Sequence, residues 1–291
     1  MPPEAGDVLS DIPPRFVIVV GCQRSGTTLM SQIIGAHPWA LLVDETDGVY
    51  KWTDSIFNSN NGRAKDSQIS ELCERAMTKY RGIDKRPLRS ATILVLQAPN
   101  LTWSHTQISR CFPDARVVYM LRDVRAVVAS MLRLSRIPFV ENQIRFFRQA
   151  SFIERDFPEE WEALMDGGVS KAVKMALVAR IKMSLAEKFE AVGIPVLRVS
   201  YEDLVLAPTT TVSGVTRHVG IPFDRRCLEH DQVLLGSGPG GTDRARPIDG
   251  LSLEGWREEL MPETVDSIWA AVGEFYEKLG YRRDSANPTA S

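Results

Sequence analysis

The feature that most limits the fold of this chain is a strand running directly into a glycine-punctuated loop and then a helix. Phe16-Val17-Ile18-Val19-Val20 is a short, mostly β-branched run, which predicts a buried strand. It passes into Gly21-Cys22-Gln23-Arg24-Ser25-Gly26-Thr27-Thr28. Leu29, Met30, Ile33 and Ile34 then recur at helical spacing, and His37-Pro38 closes the helix. Such a loop leaves backbone N–H groups free at the positive end of a helix dipole, which makes an anion site. Gly21 permits the tight turn, Gly26 lets the backbone approach a phosphate, and Thr27 and Thr28 add hydroxyl donors. The frame matches the phosphate-loop pattern Gly-x4-Gly-Lys-Ser/Thr except that Thr27 stands where the lysine belongs, and the cation is Arg24. That exchange suits a phosphate–sulfate anhydride better than a metal–triphosphate. Read alone, the loop also suits mere packing of strand on helix.

The rest of the chain repeats the alternation. Ala91 to Leu96, Arg116 to Leu121 and Pro195 to Val199 read as further strands. Helical patterns cover Gln68 to Tyr80, the stretch after Leu121, Lys171 to Val192, and Pro262 to Leu279 before Gly280. Strands alternating with helices predict an α/β fold. We read it as a single P-loop-like domain, with a mainly parallel central sheet of four to five strands and helices on both faces. The domain spans 15–283, between a polar segment at 1–14 and a tail at 284–291. Five glycines and two prolines between Gly236 and Gly250 mark a long loop, which is expected to close over a ligand.

Charge narrows the partners. A net charge of −2 gives no global basic field, so neither nucleic acid nor an anionic membrane is an expected partner. Met1 to Pro14 is polar and no apolar run reaches the ~18 residues of a membrane helix, so a cytoplasmic location is expected. Cys22, Cys73, Cys111 and Cys227 show no metal-ligand spacing; for Cys22 and Cys111, beside strands, buried reduced thiols are expected. His37 reads as structural before Pro38, and His218 and His230 have no recognisable partner in the sequence.

Four motifs in order carry a resemblance. GCQRSGTTLMSQIIGAHP followed by VDET resembles the 5′-phosphosulfate loop of sulfotransferases that use 3′-phosphoadenosine-5′-phosphosulfate (PAPS), in particular the protein-tyrosine sulfotransferase branch. FPDARVVYMLRDVRAVVASML is similar to the family's 3′-phosphate motif, SYEDLVLAP to its Tyr-Glu-x-Leu segment, and Thr242 to Trp256 to its nucleotide-covering loop. The resemblance implies a PAPS-dependent sulfotransferase with PAP as product and no metal. The implied nucleotide-binding residues are Gln23, Arg24, Ser25, Gly26, Thr27, Thr28, Arg122, Ser130, Tyr201, Thr242 and Arg246. Arg122 at a strand end and Ser130 two turns into the next helix suit a terminal phosphate. Any one of Arg125, Arg133 and Arg136 could reach the nucleotide.

The implied chemistry is in-line sulfuryl transfer to a hydroxyl acceptor: a small molecule, a carbohydrate or a peptide tyrosine. Glu45 matches the family's general base, and Arg24 with the loop amides would stabilise the leaving phosphate. The family commonly ends its second strand in a catalytic lysine; this chain has Gln97-Ala98-Pro99 there. Gln97 can donate a hydrogen bond but brings no charge, and charge-assisted donors are roughly twice as strong. Two further readings are therefore a PAP/PAPS-binding protein with impaired catalysis and a P-loop kinase, the latter opposed by the missing lysine.

Overall fold

The computed structural model describes residues 15–59, 66–80, 93–134, 136–150 and 152–283. The segments 1–14 and 284–291, and Ala91 and Thr92 of the expected second strand, lie outside them. Five strands form one parallel sheet: β1 (Arg15–Gly21), β2 (Ala40–Val43), β3 (Ile93–Gln97), β4 (Arg116–Leu121) and β5 (Val196–Ser200), in the order β2-β3-β1-β4-β5. All five residues of β3 are buried, as are Val17 to Gly21 of β1 and Val117 to Leu121 of β4. Successive strand residues point to opposite faces, so continuous burial means that both faces are covered.

The helices between β1 and β5 are α1 (Thr27–Gly35), α2 (Val49–Phe57), α3 (Asp66–Met77), α4 (His105–Cys111), α5 (Val124–Leu132), α6 (Phe139–Gln149), α7 (Phe152–Asp156), α8 (Pro158–Met165), α9 (Lys171–Ser184) and α10 (Ala186–Ala191). After β5 come α11 (Tyr201–Leu206), α12 (Pro208–Val219), α13 (His230–Val233), α14 (Trp256–Glu259) and α15 (Pro262–Lys278). Helix α1 lies against β1, β2 and β3, α12 lies against β4 and β5, and α9 packs on α5, α6 and α15. The chain leaves β1 toward β2 on one side and crosses from β3 to β4 on the other. Its connections diverge at the carboxyl end of β1, where open α/β sheets bind ligands.

Two elements differ from the sequence expectation. The single helix expected over Lys171 to Val192 is two, because the Lys182 carbonyl is taken by the Tyr119 hydroxyl and, in a tighter turn, by the Leu185 N–H. Strand β2, four residues long, was absent from the strands read in the sequence. Its outer edge is closed by side chains from just past α3. The Leu42 N–H donates to the Tyr80 hydroxyl at 2.8 Å, that hydroxyl donates to the Gly35 carbonyl at 2.9 Å, and Lys79 Nζ donates to the Leu42 carbonyl at 3.2 Å. A strand so short pairs stably because its open edge finds partners other than water.

All four cysteines are free and buried. His37 is structural, holding Trp39 N–H and the Pro222 carbonyl. His218 does have a partner, the Val117 carbonyl at 3.0 Å, whereas both ring nitrogens of His230 are buried without a hydrogen-bond partner among the described residues. No helix among the described residues is long and apolar enough to cross a membrane.

Tyr80→Phe removes the hydroxyl that serves Leu42 and Gly35 together. Urea denaturation should show a loss of about 1–3 kcal/mol, the cost of leaving buried backbone groups unpaired.

Candidate active site

The loop between β1 and α1 is shaped by its backbone. A Cβ at Gly21 (φ 147°) would lie 2.5 Å from the Met120 carbonyl oxygen, and one at Gly26 (φ 93°) 2.5 Å from the Tyr201 ring. Arg24 is the one non-glycine residue with positive φ (68°) among those described, which turns its side chain out of the loop. Ser25 Oγ donates to the Cys22 carbonyl at 2.6 Å, bracing the turn from inside.

Above this loop lies a cavity of about 460 Å³, within the usual size of small-molecule sites. Nine of the residues singled out in the sequence line it: Arg24, Gly26, Thr27, Thr28, Arg122, Ser130, Tyr201, Thr242 and Arg246. Arg24 Nε donates to Ser130 Oγ at 2.9 Å. Arg122 donates to the Arg24 carbonyl at 2.9 Å and to the Ser252 carbonyl at 2.7 Å, with its guanidinium 4.0 Å from the centre of the Tyr201 ring. Burial first, then the charges of Arg122 and Arg133, pull the Arg24 guanidinium below its ordinary value. Several cations therefore converge on one cavity. Arg133 pairs with Glu259 and Arg246 with Asp249, whereas Arg24 and Arg122 form no ion pair among the described residues. Two buried donors in the lining, Arg122 Nε and Gln32 Nε2, have no partner among the described residues.

Of the three arginines left open, Arg133 lines the cavity. Arg125 is fully buried elsewhere, paired with Asp123 at 2.6 Å and lying 4.1 Å from the Trp256 ring centre; Arg136 is exposed and outside the lining.

Gln23, Ser25, Glu45 and Gln97 do not line the cavity; Ser25 faces inward, and the other three stand behind the wall in a second polar cluster. Gln97 Nε2 reaches Thr27 Oγ1 at 3.5 Å, and Gln97 Oε1 is buried without a partner among the described residues. Burial raises the Glu45 carboxyl and the neighbouring Asp44 adds to it, against hydrogen bonds from Gln97 and Tyr50 and the charge of Lys182. Lys182, Tyr50 and Asn100 were not singled out in the sequence. Nothing in an amphipathic helix distinguishes the one lysine that turns inward, and Tyr50 and Asn100 acquire their place only through tertiary packing.

The covering loop is anchored at its middle. Buried Arg244 donates to Asp44 Oδ2 at 2.6 Å, and Lys79 approaches Asp44 at 3.5 Å and also pairs with Asp47. Burial alone would raise the Asp44 carboxyl; Lys79, the Thr46 hydroxyl and Arg244 together bring it below the ordinary range.

A model of the sulfotransferase family matches residues 14–225. The chain belongs to that family. Across 94% of its length it is 26% identical to protein-tyrosine sulfotransferase A of Caenorhabditis elegans, covering 68% of that protein. It is 27% identical to protein-tyrosine sulfotransferase 1 of Danio rerio, over 94% of this chain and 74% of the relative. The similarity thus runs to the tyrosine-sulfotransferase-like branch, as the loop motif implied. In fold it resembles the sulfotransferase domain from the curacin biosynthetic pathway, with a TM-score of 0.54 at 14% identity over 91% of this chain and 99% of that one.

Arg244→Met leaves Asp44 with one cation fewer and frees the covering loop. Urea denaturation should show a loss of about 3 kcal/mol, as for one partner removed from a buried pair. Limited proteolysis should cut within 236–256 faster than in the wild type.

Proposed function

We propose that this enzyme transfers the sulfuryl group of PAPS to a hydroxyl acceptor, with PAP as the product. The observation that carries this reading is the convergence of Arg24, Arg122 and Arg133 on one cavity whose buried donors Arg122 Nε and Gln32 Nε2 lack partners among the described residues. Two of these guanidiniums, Arg24 and Arg122, have no ion pair among the described residues, and with the orphaned donors they fit a ligand that brings several negative charges and acceptor oxygens of its own. The loop amides, Arg24, Thr27 and Thr28 suit the 5′-phosphate end, and Arg122 with Ser130 the 3′-phosphate. Tyr201, Trp256 and Leu251 offer apolar surface to a purine.

When bound, PAPS supplies a sulfuryl group carried on a phosphate leaving group. Glu45 takes the acceptor's hydroxyl proton while the acceptor oxygen–sulfur bond forms. Arg24 and the loop amides receive the charge left on the 5′-phosphate oxygen as the old sulfur–oxygen bond breaks. Gln97 lies beside both Glu45 and Thr27, which puts its side-chain amide between the base and the phosphate loop. Glu45 lies beyond the cavity wall, so the acceptor approaches from the side opposite the nucleotide. The named activity of the relatives makes a tyrosine-containing peptide the first acceptor to try.

Calorimetry with PAP, ATP and ATP plus magnesium tests the donor. PAP alone should bind, and Arg122→Ala should abolish it; binding of ATP–magnesium instead, or of nothing, overturns the reading. With PAPS and a tyrosine peptide, a phenol or a sugar as acceptor, Glu45→Gln should lower kcat by roughly 10²–10⁴-fold and leave PAP binding in place. PAP binding without turnover of any acceptor would favour the catalytically impaired alternative. Because the Glu45 carboxyl is raised and must be ionised to accept a proton, kcat/KM should fall as pH drops through a value above the ordinary carboxylate range.

A further inference from the structure

Lys182 sits near the end of α9 with its ammonium fully buried. Its Nζ faces three acceptors, all neutral: Gln23 Oε1 at 2.6 Å, Asn100 Oδ1 at 3.4 Å and Gln143 Oε1 at 3.5 Å. The face of Trp103 lies 5.0 Å away. No carboxylate forms an ion pair with it among the described residues. A buried cation without a counter-ion is costly, and apolar replacement of such groups is often neutral or stabilising. Its presence therefore calls for an explanation other than stability.

The hydrogen-bond pattern supplies one. Because Lys182 can only donate, Gln23 must turn its oxygen toward it, which leaves Gln23 Nε2 to donate to Asn100 Oδ1 at 2.9 Å. The Asn100 N–H donates to the Tyr50 hydroxyl at 3.3 Å, and that hydroxyl serves Glu45. Glu45 also meets Gln97, whose amide reaches Thr27 at the cavity wall. The chain of contacts thus leaves the phosphate loop at Thr27 and returns to it at Gln23, with one carboxylate, Glu45, and one cation, Lys182.

We propose that Lys182 is a positioning residue of the transfer centre: its buried ammonium, tied to Gln23 and Asn100, supplies the positive field on Glu45 that the neutral Gln97 does not. The inference rests on Glu45 as the base. The groups facing Glu45 are Asp44 on its own turn, Tyr50 from α2, Gln97 from β3 and Lys182 from α9, and Asp44 is itself countered by Lys79 and Arg244. Facing Lys182 are Cys22, whose thiol burial pushes up to about 12, and Glu45. Burial pulls Lys182 down to about 8, so near neutral pH most of its charge is retained. Removing that charge leaves burial and Asp44 acting on Glu45 with less opposition, and the carboxyl must titrate higher.

The test uses Lys182→Met, which removes charge and donors, and Lys182→Gln, which removes charge and keeps N–H donors. Carboxyl-carbon NMR of the whole protein labelled at glutamate reads Glu45 directly, assigned through Glu45→Gln. In both variants Glu45 should titrate about half a pH unit or more above wild type. With PAPS and a tyrosine peptide, the acidic limb of kcat/KM should move up by the same amount. On the acidic limb the rate should fall by about threefold for each half unit of that shift, with PAP affinity unchanged because Lys182 does not line the cavity. An unmoved Glu45 titration in a folded variant overturns the proposal, as does a loss of activity with Lys182→Met that Lys182→Gln restores, since that would assign the effect to packing and hydrogen bonds. If wild type turns over no acceptor, the proposed function fails while the NMR titration still decides the role of Lys182.

Discussion

Arg122 is the point at which three parts of this molecule are joined. It follows the last residue of β4, yet its two terminal nitrogens hold the Arg24 carbonyl of the phosphate loop and the Ser252 carbonyl of the covering loop, and its flat face lies on Tyr201 beyond β5. The planar fork of a guanidinium can serve two carbonyls and an aromatic ring at once, as a lysine cannot. The cavity exists because these pieces are held at a fixed separation. The sheet order makes the junction possible, since it sets β1 beside β4 and β4 beside β5 with their carboxyl ends level.

Charge is sorted around that junction. Arg24 and Arg122 reach the cavity without an ion pair among the described residues, Arg133 and Arg246 are paired with Glu259 and Asp249, and three buried acids close by are committed elsewhere: Asp123 to Arg125, Asp44 to Arg244 and Lys79, Glu202 to Tyr281 and the Asp123 N–H. The result is a local positive field in a chain of net charge −2. Behind the wall the balance changes, and a single carboxylate and a single ammonium share a low-dielectric cluster. In such surroundings each charge acts on the other over a longer range than it would in water.

The parts of this arrangement legible in the sequence are those fixed by local pattern. The strand–loop–helix unit needs glycine at two positions, and the short apolar runs at 16–20, 91–96 and 116–121 read as buried strands, so the fold class followed. Strand β2 was hidden because four residues are too few to display a period, and because its stability comes from Tyr80 and Lys79, far along the chain. Nine of the cavity residues were named through the resemblance of four motifs, and those of the first loop, Arg122 and Tyr201 also stand just past strand ends. Lys182, Tyr50 and Asn100 escaped because a buried polar cluster is assembled from separate elements and leaves no spacing to read. Of the three arginines, Arg125 lies in the first turn of α5 against Trp256, Arg133 stands at the end of that helix beside the cavity, and Arg136 lies beyond it in an exposed turn, a sorting that the sequence pattern does not show.

The contact between Gly26 and Tyr201 reaches beyond catalysis. The space a side chain would need at position 26 is already filled by the Tyr201 ring, and the same ring supports the Arg122 guanidinium. The two positions are remote in sequence but form one mutational unit. A larger residue at 26 is barred twice, by that ring and by the left-handed backbone at φ 93°; shrinking 201 lifts only the first bar and withdraws the surface under Arg122. Each single step toward a different pair passes through a damaged intermediate, so this corner of the molecule is expected to drift far more slowly than the helices around it.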